Sequence, residues 1–193
     1  MTHSDRPDLD DTTLPAGFRH VARLLAELDH PHPPRLLDVA ARTSQEAADA
    51  LGIRVGQIAK SVIFRRKADD RAVLVVTSGD QRVDEHKVAA LVCEPRSGGL
   101  GRADAAFVKS SSGFSIGGVA PLGHAKAPVT LIDRELFRFD VVWAAAGHPN
   151  GVFPTSPQDL VRLTGGSPVA DVVVDAPPAG AAAGALECSS TTL

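Results

Sequence analysis

Two β-branched runs, SVIF (61–64) and AVLVV (72–76), stand either side of the charged stretch RRKADDR. Branching at Cβ stiffens these side chains and suits them to a pleated surface, and neither run is long enough for a helix. With a polar, turn-like link between them, the runs predict a β-hairpin. Everything else in the chain has to pack on that hairpin or extend it.

The flanking sequence offers short helices and further short strands. Residues 15–30 read as a helix with an apolar stripe of Phe18, Val21, Ala22, Leu24, Leu25 and Leu28, broken by the proline-rich HPHPP that follows. Thr43-Ser-Gln-Glu46 has the form of a capping box, and Gly52 ends the helix it opens. Residues 84–92 and 102–112 read as two more helices. VTLID (129–133) and DVVWAAA (140–146) read as strands around a short helical turn, ELFRF. Ser156-Pro-Gln-Asp159 supplies an N-cap, a first-turn proline and an acid for a helix that stops at Gly165-Gly166. PVADVVV then reads as the closing strand. Helices and strands do not alternate strictly, so the fold class is α+β or mixed α/β with a mixed sheet.

Composition sets the outer bounds. The 193 residues suffice for one domain, expected over 15–175, with a disordered N-terminus at 1–14 and a flexible Ala/Gly/Ser-rich tail at 176–193. A formal net charge of −3 argues against sequence-independent coating of nucleic acid, DNA included. Cys93 and Cys188 build neither a disulfide framework nor a zinc site. The acidic N-terminus lacks a signal-peptide core, and no apolar run is long enough to cross a bilayer. The expectation is a cytoplasmic protein, with no membrane partner.

Three motifs lead nowhere. Gly56-Gln-Ile-Ala-Lys60-Ser61 separates the glycine from the lysine and opens a strand, unlike a phosphate-binding loop. Seven histidines include no helical His-x-x-x-His or Glu-x-x-His pair, so no metal is expected. Ser110–Ser112 has no nucleophile-elbow context.

Three others can carry chemistry. Lys60, between Ile58-Ala59 and Val62-Ile63-Phe64, keeps its stem against apolar neighbours; it is either a ligand-facing cation or a snorkelling lysine. FSIGGVAPLGH (114–124) holds Gly117, Gly118, Pro121 and Gly123 before His124. It is either a rigid connector or a loop aiming backbone amides at an anion. AAAGHPNGVF (144–153) runs from a strand into Gly147-His148-Pro149, and its Asn-Gly pair is also an ordinary hairpin-turn signal.

In order and spacing, AADALGIRVGQIAKSVIFR, VLVVTSGDQRVDEHKVA, FSIGGVAPLGH and WAAAGHPNGVFPTSPQDL resemble the YbaK/prolyl-tRNA-synthetase-associated domain family, free-standing aminoacyl-tRNA deacylases. The resemblance spans about Thr43 to Gly166. It implies a compact single domain with a curved mixed sheet of about six or seven strands, no cofactor, and trans-editing of tRNA mischarged with a small amino acid (Ala, Ser, Thr, Cys or similar). The family's lysine falls on Lys60, its substrate loop on Gly117, Gly118 and Pro121, and its second glycine motif on Gly147, beside His148 and Pro149. Ser61, Phe114, Ile116 and His124 complete the expected substrate contacts. The pocket walls are expected from 43–47, 62–64 and 114–116. The implied partners are the tRNA 3′ end and an aminoacyl-tRNA synthetase, with the chain a monomer or homodimer.

No Ser-His-Asp or Cys-His set is visible, so the expected chemistry is water attack on an already activated ester. Lys60 would hold the 3′ end, loop amides the oxyanion, and His124 or His148 would be the side-chain proton carriers. Two alternatives remain at this stage: a non-catalytic tRNA- or synthetase-binding module, and a hydrolase of another small acyl ester.

Overall fold

The computed structural model describes residues 12–38 and 43–175. In chain order its elements are α1 (Ala16–Glu27), β1 (Arg35–Leu36), α2 (Ser44–Leu51), β2 (Ile58–Arg66), β3 (Arg71–Ser78), α3 (Glu85–Val92) and β4 (Leu100–Arg102). There follow α4 (Ala105–Ser112), β5 (Val129–Asp133), β6 (Val142–Ala145), β7 (Gly151–Thr155), α5 (Pro157–Leu163) and β8 (Val169–Ala170). Short 3₁₀ turns occupy Val55–Gln57 and Arg134–Arg138.

The hairpin forms as β2 and β3, paired antiparallel from Ala59↔Ser78 to Arg66↔Arg71. Its turn is shorter than the charged link, because Arg65 and Arg66 extend β2. Their guanidinium groups meet Asp70 and Asp69, each at 2.7 Å, and tie the hairpin end together. β2 also starts earlier than the β-branched run, at Ile58. Lys60 is therefore the third residue of the strand and does not open it.

Local signals placed most helix ends. Thr43 and Glu46 form the reciprocal capping box of α2, and Gly52 closes that helix in the left-handed conformation at φ 67°. Ser156 caps α5, with Pro157 in its first turn. The helix expected over 102–112 begins only at Ala105, because Leu100–Arg102 pairs with β2 and Asp104 takes the N-cap. The closing strand shrinks to Val169–Ala170, with a lone bridge from Val173 to Val83.

The eight strands are ordered β1-β7-β6-β2-β3-β5-β8, with β4 on β2. The sheet is mixed: β2 runs antiparallel to β3 and β4 but parallel to β6, and β3 runs parallel to β5. β7 carries Pro154 and β1 is two residues long, so neither had a strand-like signature. Phe18, Val21 and Leu25 of α1 pack on Leu74, Val76 and Phe153 on one face, with Phe114 and Ala120. Val88 of α3 packs with Phe64, Val73, Val75 and Leu131 on the other. Full burial of each such side chain contributes about 1.5–3 kcal/mol. Leu14 also packs against the α1-side core, outside the expected domain start; residues 1–11 and 176–193 lie outside the described ones.

One interruption in the sheet positions the site. Opposite β3, the edge of β2 is paired with β6 only at Ile58 and Ala59, and with β4 only from Phe64 to Arg66. Among the described residues, no strand pairs with residues 60–63 on that side.

Candidate active site

A cleft of about 310 Å³ opens at the bare edge of β2. Thr43, Ser44 and Ala47 of the α2 entrance form one wall, and Trp143–Ala145 of β6 with Val152 of β7 form the back. Gly117, Val119 and Pro149 close the far side. Side chains alternate along a strand, so Lys60 shares the sheet face of Ile58 and α2, while Ser61 shares that of Ala59 and the 114–122 loop. Neighbours on one strand reach the same cleft from opposite faces because no other strand among the described residues covers the edge between them.

Lys60 is held in place. Its Nζ donates to the Gln81 carbonyl at 2.9 Å, in the loop that leaves β3. Half-burial pushes its pKa below the ordinary lysine value, while the nearby Asp80 and Asp133 carboxylates pull the other way. The loop is itself braced. Ser78 Oγ lies 2.6 Å from the Gly56 carbonyl and 2.7 Å from Asp80 Oδ1, and Arg138 donates to both Ser78 Oγ and Asp80. Asp133 is fully buried and accepts from Thr77 Oγ1 at 2.6 Å and from the Ser78 and Glu135 amides. Sequence reasoning assigned no role to Asp80, Asp133 or Arg138. The available signal was TSGDQ, a polar cluster following directly on an apolar strand.

The two glycine loops pack backbone on backbone. Gly117 sits at φ 89°, which favours glycine. A Cβ on Gly118 would stand 2.6 Å from the His148 carbonyl carbon and 2.8 Å from Pro149 N. Gly147, at φ 78°, in turn lies against the Gly17 backbone at the start of α1. The Gly118 amide donates to the Ser115 carbonyl at 3.0 Å, closing its own turn. Those of Gly117 and Val119, both on the cleft wall, donate to nothing among the described residues. Ser61 Oγ is likewise buried without a partner.

The structure divides the expected site residues. Lys60, Ser61, Gly117 and Pro149 line the cleft, with Gly118 and Gly147 directly behind it. Phe114 is a core residue, Pro121 is buried in its loop, and Ile116 is 61% exposed; none of the three lines the wall. The wall expected from 62–64 is also displaced, since Ile63 and Phe64 belong to the two cores. Thr43, Ser44 and Ala47 stand where 43–47 was expected.

Neither histidine lines the cleft. His148 Nδ1 accepts from the Asn150 amide at 3.2 Å, inside its own turn. His124 Nε2 lies 2.8 Å from the Ala120 carbonyl, and its ring meets Phe114 edge-on at 5.7 Å. Burial pushes the His124 pKa down, so the neutral ring donates through Nε2 and braces the loop. His30 is similar: burial lowers its pKa, and Nε2 meets the Pro154 carbonyl at 2.9 Å. Among the described residues no group of three His, Cys, Asp or Glu can hold a metal ion. No helix among them is long and apolar enough to cross a membrane.

The two depressed histidines set a pH dependence of stability. Their folded pKa values lie below the unfolded value of about 6.5, so the unfolded chain binds more protons as pH falls through that value. Stability is full above pH about 6.5 and falls below it, by up to about 1.4 kcal/mol per pH unit for each histidine. Melting temperatures at pH 7.5 and 5.5 measure this. His124→Gln, which keeps a donor for Ala120, should show a smaller drop than wild type. An unchanged drop contradicts the assignment.

Known proteins resemble this chain in sequence and in fold. The uncharacterized protein YwhH of Bacillus subtilis is 29% identical over 133 residues, covering 66% of this chain and 78% of its own. A proline–tRNA ligase of Thermoanaerobacter is 30% identical over 95 residues, which make up 49% of this chain but 16% of that enzyme. The solved structure of a candidate trans-editing enzyme for prolyl-tRNA synthetase superposes with a TM-score of 0.76 at 36% identity, over 84% of this chain and 99% of that one. The model of the aminoacyl-tRNA editing domain matches residues 38–163, from the approach to α2 to the end of α5 and across the whole cleft, and the chain belongs to that family.

Proposed function

We propose that the chain hydrolyses the ester between a small amino acid and the terminal ribose of a mischarged tRNA. The observation that carries this reading is the bare β2 edge at residues 60–63, facing a cleft with Lys60 on one side and unused loop amides on the other. A strand edge without a partner offers main-chain donors and acceptors at fixed spacing, suited to the α-amino and carbonyl groups common to every aminoacyl ester. The 310 Å³ volume is at the low end for small-molecule sites and favours a small side chain by sieve size.

In this reading the Lys60 ammonium holds the ribose or phosphate of the 3′ end. The ester carbonyl points at the amides of Gly117 and Val119, which stabilise the tetrahedral oxyanion. Gly118 is excluded as a donor because its N–H is already used. Water forms the new C–O bond, the acyl–ribose bond breaks, and the leaving ribose oxygen takes up the proton. The neighbouring ribose hydroxyl is the nearest proton relay, since His124 and His148 do not line the cleft. The ester is already activated, so positioning and electrostatics replace a protein nucleophile. The likeness to a proline–tRNA ligase supports a tRNA of a synthetase reaction as substrate and a synthetase as partner; the proposed setting is the cytoplasm.

Purified chain is assayed against tRNAs charged with Ala, Ser, Thr, Cys and 2-aminobutyrate. Release of one or more small amino acids above the spontaneous rate is expected. Failure to release any of them overturns the deacylase reading and leaves a binding module or a hydrolase of another small acyl ester in its place.

A further inference from the structure

Among the described residues, four guanidinium groups lie over aromatic rings: Arg35 on Trp143 at 4.5 Å, Arg54 on Phe139 at 4.9 Å, Arg65 on Phe107 at 5.5 Å and Arg138 on Phe139 at 5.0 Å. Two of these charges are neutralised, Arg65 by Asp70 and Arg138 by Asp80 and Glu135. Arg35 and Arg54 are exposed and have no carboxylate partner among the described residues. Surface arginines normally lose much rotamer freedom when they grip a ligand. A ring beneath the guanidinium has already removed part of that freedom and left the N–H fork facing outward.

Both lie beside the cleft. Trp143 is part of its wall and pairs with Ile58, two residues before Lys60. Arg35 reaches that ring from β1, which is held at the sheet edge by β7 through Arg35↔Val152. Arg54 stands three residues past the end of α2, and its ring Phe139 is packed against Gly56, which also lies against Asp80, a carboxylate that acts on the Lys60 ammonium. The two stacked arginines thus flank the site, Arg35 at its Trp143 wall and Arg54 beyond the Asp80 side of Lys60. A chain of net charge −3 has to attract a polyanion through local cations whose charge is not already spent.

We propose that Arg35 on Trp143 and Arg54 on Phe139 form the subsite that grips the sugar–phosphate backbone of the single-stranded tRNA 3′ end as it enters the cleft. This rests on the deacylase reading above. A planar fork pairs with phosphate oxygens in two parallel hydrogen bonds, and its stacked face also accepts an unstacked base.

The test is direct binding of an uncharged acceptor-stem hairpin ending in single-stranded CCA, titrated over a series of salt concentrations. Each phosphate contact on a single strand contributes about 0.7 to the slope of log K against log salt. Arg35→Ala and Arg54→Ala are each expected to reduce the slope by about that amount, and the double variant by about twice as much. Arg35→Lys keeps the slope but binds more weakly, because it loses the fork and the stack. Arg65→Ala, whose charge is already spent, leaves the slope unchanged. Unaltered slopes in the alanine variants overturn the proposal, as does a wild type that fails to bind the hairpin at low salt. Because the hairpin carries no amino acid, this result is independent of the deacylation panel. Binding without hydrolysis sinks the activity alone, and hydrolysis with unaltered slopes sinks the subsite alone.

Discussion

Lys60→Ala is expected to lower deacylation kcat/KM by about 10²-fold, the usual cost of misplacing a reacting ester once the group that positions it is lost. The fold should survive, with a stability change below about 1 kcal/mol and a melting shift of less than about 4 °C. The reason is local. Lys60 is a half-buried cation whose tether is a single carbonyl, that of Gln81, and burial already works against its charge. Lys60→Arg should not restore activity, because the loop that receives the ammonium is fixed by Ser78, Asp80 and Arg138 and cannot widen to take a planar fork. Single-turnover deacylation alongside thermal melts measures both effects. Retention of more than half the wild-type rate by the alanine variant removes Lys60 from the mechanism.

Gly118→Ala should disable the site through a single added methyl group. The added Cβ would meet the backbone of His148 and Pro149 at 2.6–2.8 Å, with no flexible side chain to yield. The two loops have to separate, at a cost of about 1–3 kcal/mol for overpacking. Their separation moves Gly117 and Val119 relative to β2, and a displacement near 1 Å at a reacting centre costs about 10²-fold in rate. Gly101→Ala in β4 is the matched control. Its Cβ would meet mainly the Lys67 side chain, at 3.3 Å, and it lies at the other end of β2. Equal activity in the two variants would mean that the contact between the loops does not set the geometry of the site.

The parts of the fold legible in the sequence were those with local causes. The Thr43–Glu46 capping box, the Gly52 stop, the Ser156-Pro157 start and the β2–β3 hairpin all formed where short-range chemistry placed them. Boundaries failed where a distant partner decided them. Leu100–Arg102 became a strand because Phe64–Arg66 offered an edge, and Gly151–Thr155 became one because β6 and β1 flank it. Lys60 was singled out from its apolar neighbours, but the Gln81 carbonyl and the Asp80–Arg138 brace lie in other segments of the chain. The histidines show the opposite failure. Their loops marked them as reactive, yet His124 turned inward to hydrogen-bond its own loop and His148 its own turn.

By itself the sequence determined the residue types: a lysine among apolar neighbours, glycines that admit left-handed or close-packed backbone, and β-branched runs that must pair. These are short-range properties, set by sterics and capping within a few residues. Only the tertiary structure decided that β6 and β4 leave residues 60–63 uncovered between them. It also decided that Gly118 meets His148, that the Gly118 amide is spent, and that Arg35 and Arg54 come to rest on rings with their charge unspent. Each of these depends on which strand edges and loops meet across long sequence separations. Such pairings are selected by the packing of the whole sheet, and no local pattern encodes them.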